Sequence, residues 1–394
     1  MSARRSILWM VAAALGASPA TACSGSAAPV GSEVAGDGGA TAHAEAGKGG
    51  PTGPSSGSDA ATSPGRDAGL GSPEAGMAPA EGGATVPEAG PPAATIDYAP
   101  YFPTWVWGAS GYAFTSLVDL QQKAGLDEVT IAFVLADGGC KADQGVEQNM
   151  ADVKAFIAAG GHVKASFGGA DGTYVESQCS DAAALATALE GFVDATGITD
   201  LDFDIEQDAV LTDAVNEMRG QALKTVQTSR NIQVAFTLAA NPHTSGSPGG
   251  LTSQGISVVS HAVSAGVKVS HVNLMTMDYG DDYGGQPLAP VAIGSLTDAN
   301  AQLLGIVPGL TKSAAWQMLG VIPMIGKNDD SEVFSLDDAK TLAAFALQNQ
   351  LGLVSFWSID RDQVCPKGAD YNSCSTVDTT NFQFDAILRT VTAP

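Results

Sequence analysis

Four acids stand at alternate positions in Asp200-Leu201-Asp202-Phe203-Asp204-Ile205-Glu206. In an extended chain successive side chains face opposite ways, so the four carboxyls share one face and Leu201, Phe203 and Ile205 the other. If the apolar face packs under helices, the acids point into a protein interior. An ionised carboxylate there loses solvation, and like charges a few ångströms apart raise one another's pKa until some stay protonated. A carboxylic acid held protonated near neutrality is what a general acid requires. Two plainer readings compete: a solvated edge strand facing water, or a calcium site built on Asp-x-Asp-x-Asp. An EF-hand loop would need Gly at its sixth position and Glu at its twelfth, and neither occurs.

Elements that could bury such a strand are legible beyond Tyr98, where β-branched apolar runs alternate with amphipathic stretches of helical length. The predicted strands are Ile96–Pro103, Glu128–Leu135, His162–Phe167, Asp200–Ile205, Gln233–Leu238, His271–Met277, Gly320–Ile325 and Leu353–Ile359. The predicted helices include Met150–Ala159, Ala182–Thr196, Ala214–Thr228, Ile256–Ala265, Leu336–Gln348 and Thr380–Val391. Eight βα units in about 300 residues predict an α/β fold, a (β/α)8 TIM barrel over 96–394, with function at the C-terminal ends of the strands. A doubly wound open sheet is the alternative, but no G-x-G-x-x-G follows the first strand.

The chain has 394 residues, 18 Lys and Arg against 42 Asp and Glu, and a net charge of −24. This balance excludes a nucleic-acid binder, which needs clustered cations to displace counterions. The leader's two arginines and the linker's surplus of six acids leave −20 on the barrel. Arg4 and Arg5 precede an apolar stretch from Ile7 to about Leu15 and then Ala20-Thr21-Ala22-Cys23, so 1–22 reads as an export signal. Cys23 fits a lipobox, although Ala20 replaces the usual Leu; ordinary A-x-A cleavage is the alternative. Residues 23–95, without an aromatic ring and rich in Gly, Ala, Pro and Ser, read as a disordered tether. The expected location is the outer surface of a bacterium as a lipoprotein, or the extracellular medium, with membrane contact only through Cys23. Setting Cys23 aside leaves Cys140, Cys179, Cys365 and Cys374; of three possible pairings, local closure of Cys365–Cys374 leaves Cys140–Cys179. The five histidines show no H-x-x-x-H spacing and no C-x-x-C occurs, so no metal or organic cofactor is implied.

Asp202-Phe203-Asp204-Ile205-Glu206 resembles the D-x-D-x-E signature of family-18 glycoside hydrolases, the chitinases and their relatives. Ser166-Phe167-Gly168-Gly169 resembles the family's S-x-G-G, Met275-Thr276-Met277-Asp278-Tyr279-Gly280 its M-x-x-D region in a bacterial form, and Trp357 the tryptophan flooring the −1 sugar site. The likeness runs from about Tyr98 to the C-terminus. It implies that Glu206 protonates the glycosidic oxygen while Asp204 holds the substrate's N-acetyl group, whose carbonyl oxygen attacks the anomeric carbon in place of an enzyme nucleophile. It implies Asp202 deeper, sharing a proton with Asp204, with Ser166 donating to that pair. Tyr279 is implied as donor to the acetamide, with Asp278 and Met277 shaping the pocket. Two departures stand out: Asp200 replaces a usual Gly and is expected at the strand start facing water, and Met277-Asp278 replaces the Tyr-Asp of many members.

Tyr98, Tyr101, Trp105 and Trp107 are expected near the end of the first strand, stacked on sugars or packed as ordinary rim. Trp316 is expected in the core. The stretch between Ile325 and Leu336 is too short for the lobe that deepens the cleft in many members, which implies an open groove. The implied partner is an N-acetylglucosamine polymer or oligosaccharide, bound by a monomer. Alternatives are an endo-β-N-acetylglucosaminidase acting on glycoprotein glycans and a sugar-binding surface protein without turnover.

Overall fold

The structure, a computed structural model, describes residues 95–142, 145–369 and 371–392. The export signal, the linker and Cys23 lie outside the described residues. Eight strand positions follow one another round a barrel, all parallel: Glu128–Val134, His162–Gly168, Asp200–Ile205, Gln233–Asn241, Val269–Met275, Leu319–Ile322 and Leu353–Val354 follow a split first strand. Its two pieces, Asp97–Tyr98 and Tyr101–Pro103, close the barrel: the first pairs with the eighth strand and the second with the second strand. The split sits at Ala99-Pro100, where Pro supplies no N–H to a ladder.

Strand alternation sends the residues of the acidic strand where their polarity requires. Leu201, Phe203 and Ile205 are each about 1% exposed beneath the helices, and Phe203 stacks on Phe167 with ring centroids 5.3 Å apart. The helices end where their sequences change: Asp181 caps Ala182–Thr196 by accepting from the N–H of Ala184, and Gly197 leaves it in the left-handed region. Ser335 and Asp338 form a capping box before Leu336–Asn349.

The expected boundaries shift at several places. Leu353–Ile359 is strand only over Leu353–Val354, followed by an isolated bridge between Met324 and Trp357. Thr380–Val391 is shortened to Gln383–Leu388 and a 3₁₀ turn at Arg389–Thr392, since Phe382 enters with φ of 60°. Leu117–Ala124, Leu288–Ile306 and Lys312–Met318 are further helices, and Trp316, 8% exposed, belongs to the core as expected. After the seventh strand the chain forms only a small ribbon of Gly326–Lys327 against Val333–Phe334. Disulfides join Cys140 to Cys179 and Cys365 to Cys374, one of the three pairings the cysteine count allowed.

Candidate active site

Asp202 lies at the barrel centre, where Ser166 donates to it at 2.7 Å, Tyr101 at 2.9 Å, Thr237 at 2.9 Å and Asn273 at 3.3 Å. Its neighbour across the ladder is Ser166, and Asp204 stands beside Gly168 and Thr237. Asp202 is 3% exposed and Asp204 4%, and burial raises the pKa of both. Their surroundings differ. Asp202 is ringed by donors, whereas Asp204 Oδ1 has no hydrogen-bond partner among the described residues, and the charges of Glu206 and Asp202 raise its pKa further.

Glu206 follows at the barrel mouth. The residue is open to solvent, yet the pocket surrounds its carboxyl closely enough that partial desolvation, then the charges of Asp278, Asp171 and Asp329, raise its pKa to about 7. Its backbone is fixed: the Glu206 N–H donates to the Tyr174 hydroxyl at 2.9 Å. That hydroxyl's hydrogen is shared between the carbonyls of Gly169 and Asp204 at 2.8 and 3.0 Å. The glycines of Ser166-Phe167-Gly168-Gly169 are required by the same packing. A Cβ on Gly168, where φ is +113°, would lie 2.1 Å from the Asp204 carbonyl oxygen, and one on Gly169 2.5 Å from the Phe133 ring.

Asp204 and Glu206 open into a cavity of about 240 Å³ lined also by Tyr101, Phe133, Met277, Asp278 and Trp357. Trp357 stacks on Phe133 at 5.5 Å with an 11° interplanar angle, and Tyr101 and Trp105 flank it at 5.8 and 6.0 Å. The result is an apolar wall facing an acidic one, which suits a ring with an apolar face and polar edges. Asp278, with φ of 50°, accepts from the Asp329 N–H at 2.9 Å. Burial, then the charge of Asp329 and Asp330, raises its pKa to about 6.

Glu206, Asp204, Asp202, Ser166, Tyr101, Met277, Asp278 and Trp357 are thus brought together. Tyr279 is not: its hydroxyl bonds to Ser295 on the helix Leu288–Ile306 at 3.1 Å and its ring packs on Tyr283. The left-handed turn at Asp278 breaks strand alternation, so the next side chain leaves the cavity. Asp200 is not in water either; it lies at the barrel's other end, 3.2 Å from His162 and 3.6 Å from Lys164. The first-strand aromatics separate: Tyr98 and Tyr101 are buried, Trp107 donates to Asp152 at 2.8 Å, and Trp105 is 54% exposed.

Tyr174, Phe133, Thr237, Asn273, Asp171, Asp329 and Asn372 were not anticipated. Thr237 between Phe236 and Leu238, and Asn273 between Val272 and Leu274, carry the alternation that marks inward polar positions. Asp171, Asp329 and Asn372 lie on loops, for which no periodicity exists.

No protein-family model matches the chain. Over 287 residues, 67% of the chain, it is 33% identical to Endochitinase 11 of Metarhizium anisopliae, covering 52% of that protein. Over 267 residues it is 33% identical to a probable bifunctional chitinase/lysozyme of Escherichia coli K12, covering 29% of it. The chain therefore spans about half the length of one curated relative and under a third of the other. Among solved structures, the catalytic domain of a hyperthermophilic chitinase from Pyrococcus furiosus is 31% identical with a TM-score of 0.66, over 76% of this chain and 96% of that one. A GH18 chitinase of Flavobacterium johnsoniae, 13% identical with a TM-score of 0.51, shares the fold.

Proposed function

The chain belongs to the family-18 glycoside hydrolases, and on that premise we propose that it hydrolyses β-1,4-linked N-acetylglucosamine polymers, chitin and chito-oligosaccharides, with retention through an oxazolinium intermediate. In this reading Trp357 floors the reacting sugar and Asp204 accepts the acetamide N–H. The acetamide carbonyl oxygen bonds to the anomeric carbon as the bond to the leaving oxygen breaks, and Glu206 gives that oxygen its proton. Glu206, now a carboxylate, takes a proton from water as the water opens the oxazolinium. Two displacements at one carbon return the starting configuration. Asp202, held by four donors, keeps a buried charge or proton next to Asp204, so the three acids titrate as a set.

The observation that carries the reading is the unpartnered Oδ1 of a buried Asp204, in the same cavity as a glutamate whose pKa stands near 7. A buried acceptor without a donor is costly in a finished core and is met by a ligand N–H. The Pyrococcus furiosus domain has been crystallised with chito-oligosaccharides, which supports the same substrate class here. With Tyr279 turned to Ser295, the role of acetamide-carbonyl donor implied for it is not part of this proposal.

The assay compares wild type and Glu206→Gln on chito-oligosaccharides and on a high-mannose glycopeptide. Cleavage of the oligosaccharides, abolished in the variant, is expected; cleavage of the glycopeptide alone would replace this reading with an endo-β-N-acetylglucosaminidase. Binding of both without turnover in wild type would make the protein a lectin. The two disulfides fit an oxidising compartment. We place the enzyme outside the cell, tethered through an acylated Cys23, which mass spectrometry of the mature N-terminus tests. The short ribbon after the seventh strand favours internal cuts, and purely stepwise disaccharide release would overturn that.

A further inference from the structure

The polar side chains lining the catalytic cavity are unevenly equipped. Asp171, Asp204, Glu206, Asp278 and Asp329 are carboxyls, which accept hydrogen bonds when ionised and donate none. The hydroxyls of Tyr101 and Thr237 are spent on Asp202. Acetamide carbonyls and ether oxygens of a sugar need donors. Among the described residues lining the cavity, Asn372 carries the amide, whose NH₂ donates without bringing charge.

Asn372 is held where it stands. It lies inside the loop closed by Cys365 and Cys374, and its two neighbours are pinned by buried side chains. Arg361, 2% exposed, donates from Nε to the Tyr371 carbonyl at 2.9 Å. Gln363, 4% exposed, donates from Nε2 to the Ser373 carbonyl at 2.7 Å. The loop's end is seated on the seventh-strand ribbon: Lys327 N–H donates to the Ser375 carbonyl at 2.9 Å. A Cβ on Gly326, where φ is +72°, would lie 1.9 Å from that same oxygen, so the ribbon and loop approach as closely as only glycine permits. Two buried donors and a disulfide spent on one exposed asparagine's neighbours fix its position relative to Glu206.

We infer that Asn372 is a specificity-determining residue of this site, donating from its amide to an oxygen of a bound N-acetylated sugar, and that the disulfide loop exists to present it. The inference rests on the hydrolase reading above, and its test is built to fail separately. Asn372→Ala deletes the amide, and Asn372→Asp keeps its shape while removing both donors. Each is expected to raise KM on a chito-oligosaccharide roughly 3- to 10-fold, the size of one neutral hydrogen bond, with kcat falling less than KM rises and the melting temperature unchanged. The dissociation constant of the same oligosaccharide, measured by calorimetry in the Glu206→Gln background, is expected to rise by the same factor. Replacing Cys365 and Cys374 together by Ser is expected to raise KM in the same direction. A wild type without turnover would sink the hydrolase reading while the calorimetric comparison still decides this one. Unchanged KM and dissociation constant in both Asn372 variants, or no oligosaccharide binding in any background, would overturn it.

Discussion

The two ends of the barrel bury charge in opposite ways. At the N-terminal end, Lys164 lies 2.9 Å from Glu128, 3.5 Å from Asp97 and 3.6 Å from Asp200, while both ring nitrogens of His162 meet carboxylates, Glu128 at 3.0 Å and Asp200 at 3.2 Å. A cavity of about 120 Å³ borders this cluster. At the C-terminal end Asp204, Glu206, Asp171, Asp278 and Asp329 line one cavity, and no lysine or arginine lines it with them. Asp200 and Glu206 belong to the same inward-facing set of acids, six residues apart. One end has matched its charges and the other has left them to repel. Matched charge holds the sheet together; unmatched carboxyls cost stability and retain protons near neutrality, which acid catalysis uses.

The largest effect expected from breaking this contrast is at Glu206. Glu206→Gln removes the proton donor and should lower the rate on chito-oligosaccharides by at least about 10²–10⁴-fold, read by product release, with the fold intact by circular dichroism. The counterpart at the floor is Lys164→Met, which leaves three acids facing one another without their cation. It should destabilise by roughly 3 kcal/mol in denaturant unfolding while the folded protein keeps its kcat. Loss of activity without loss of stability would mean that the two ends are not separable.

The ends should also respond to pH with opposite signs. Glu206 and Asp278 have raised pKa values, about 7 and about 6, so between about pH 5 and 7 the folded state holds protons that the unfolded chain has released. Their contribution to stability therefore falls as pH rises through that window. At the floor, hydrogen bonds from His162 and the charge of Lys164 outweigh desolvation and hold Glu128 below its ordinary value, so its contribution is present at neutral pH and lost as pH falls into the carboxylate range. Melting temperature against pH should show Glu206→Gln gaining relative to wild type at pH 8 and not at pH 4, and Glu128→Gln losing most at neutral pH. The smallest effect is at Asp278→Asn, where removing a neighbouring charge should move the alkaline limb of activity to lower pH.

What the sequence disclosed follows the same division. The acid strand was legible because a period of two places Asp202, Asp204 and Glu206 on one face whatever surrounds them, and Trp357 because strand ends recur at barrel spacing. The donors to Asp202 come from four different strands, so that only register brings Ser166, Tyr101, Thr237 and Asn273 together. The floor cluster is of the same kind: Asp200 beside Lys164 and His162 depends on which residues the parallel ladder aligns, with Lys164 opposite Asp200. Tyr279 was misplaced because a single left-handed residue, Asp278, undoes the alternation from which its direction was read. Asn372 could not be found because it sits in a loop whose path is set by a disulfide and two buried side chains.

The central claim is that the mouth leaves its acids unmatched to keep Glu206 protonated near neutrality, and kcat/KM on a chito-oligosaccharide against pH tests it most directly. The account predicts a falling limb centred near pH 7 as Glu206 loses its proton. Activity that stays level or rises from pH 6 to 9 would contradict it.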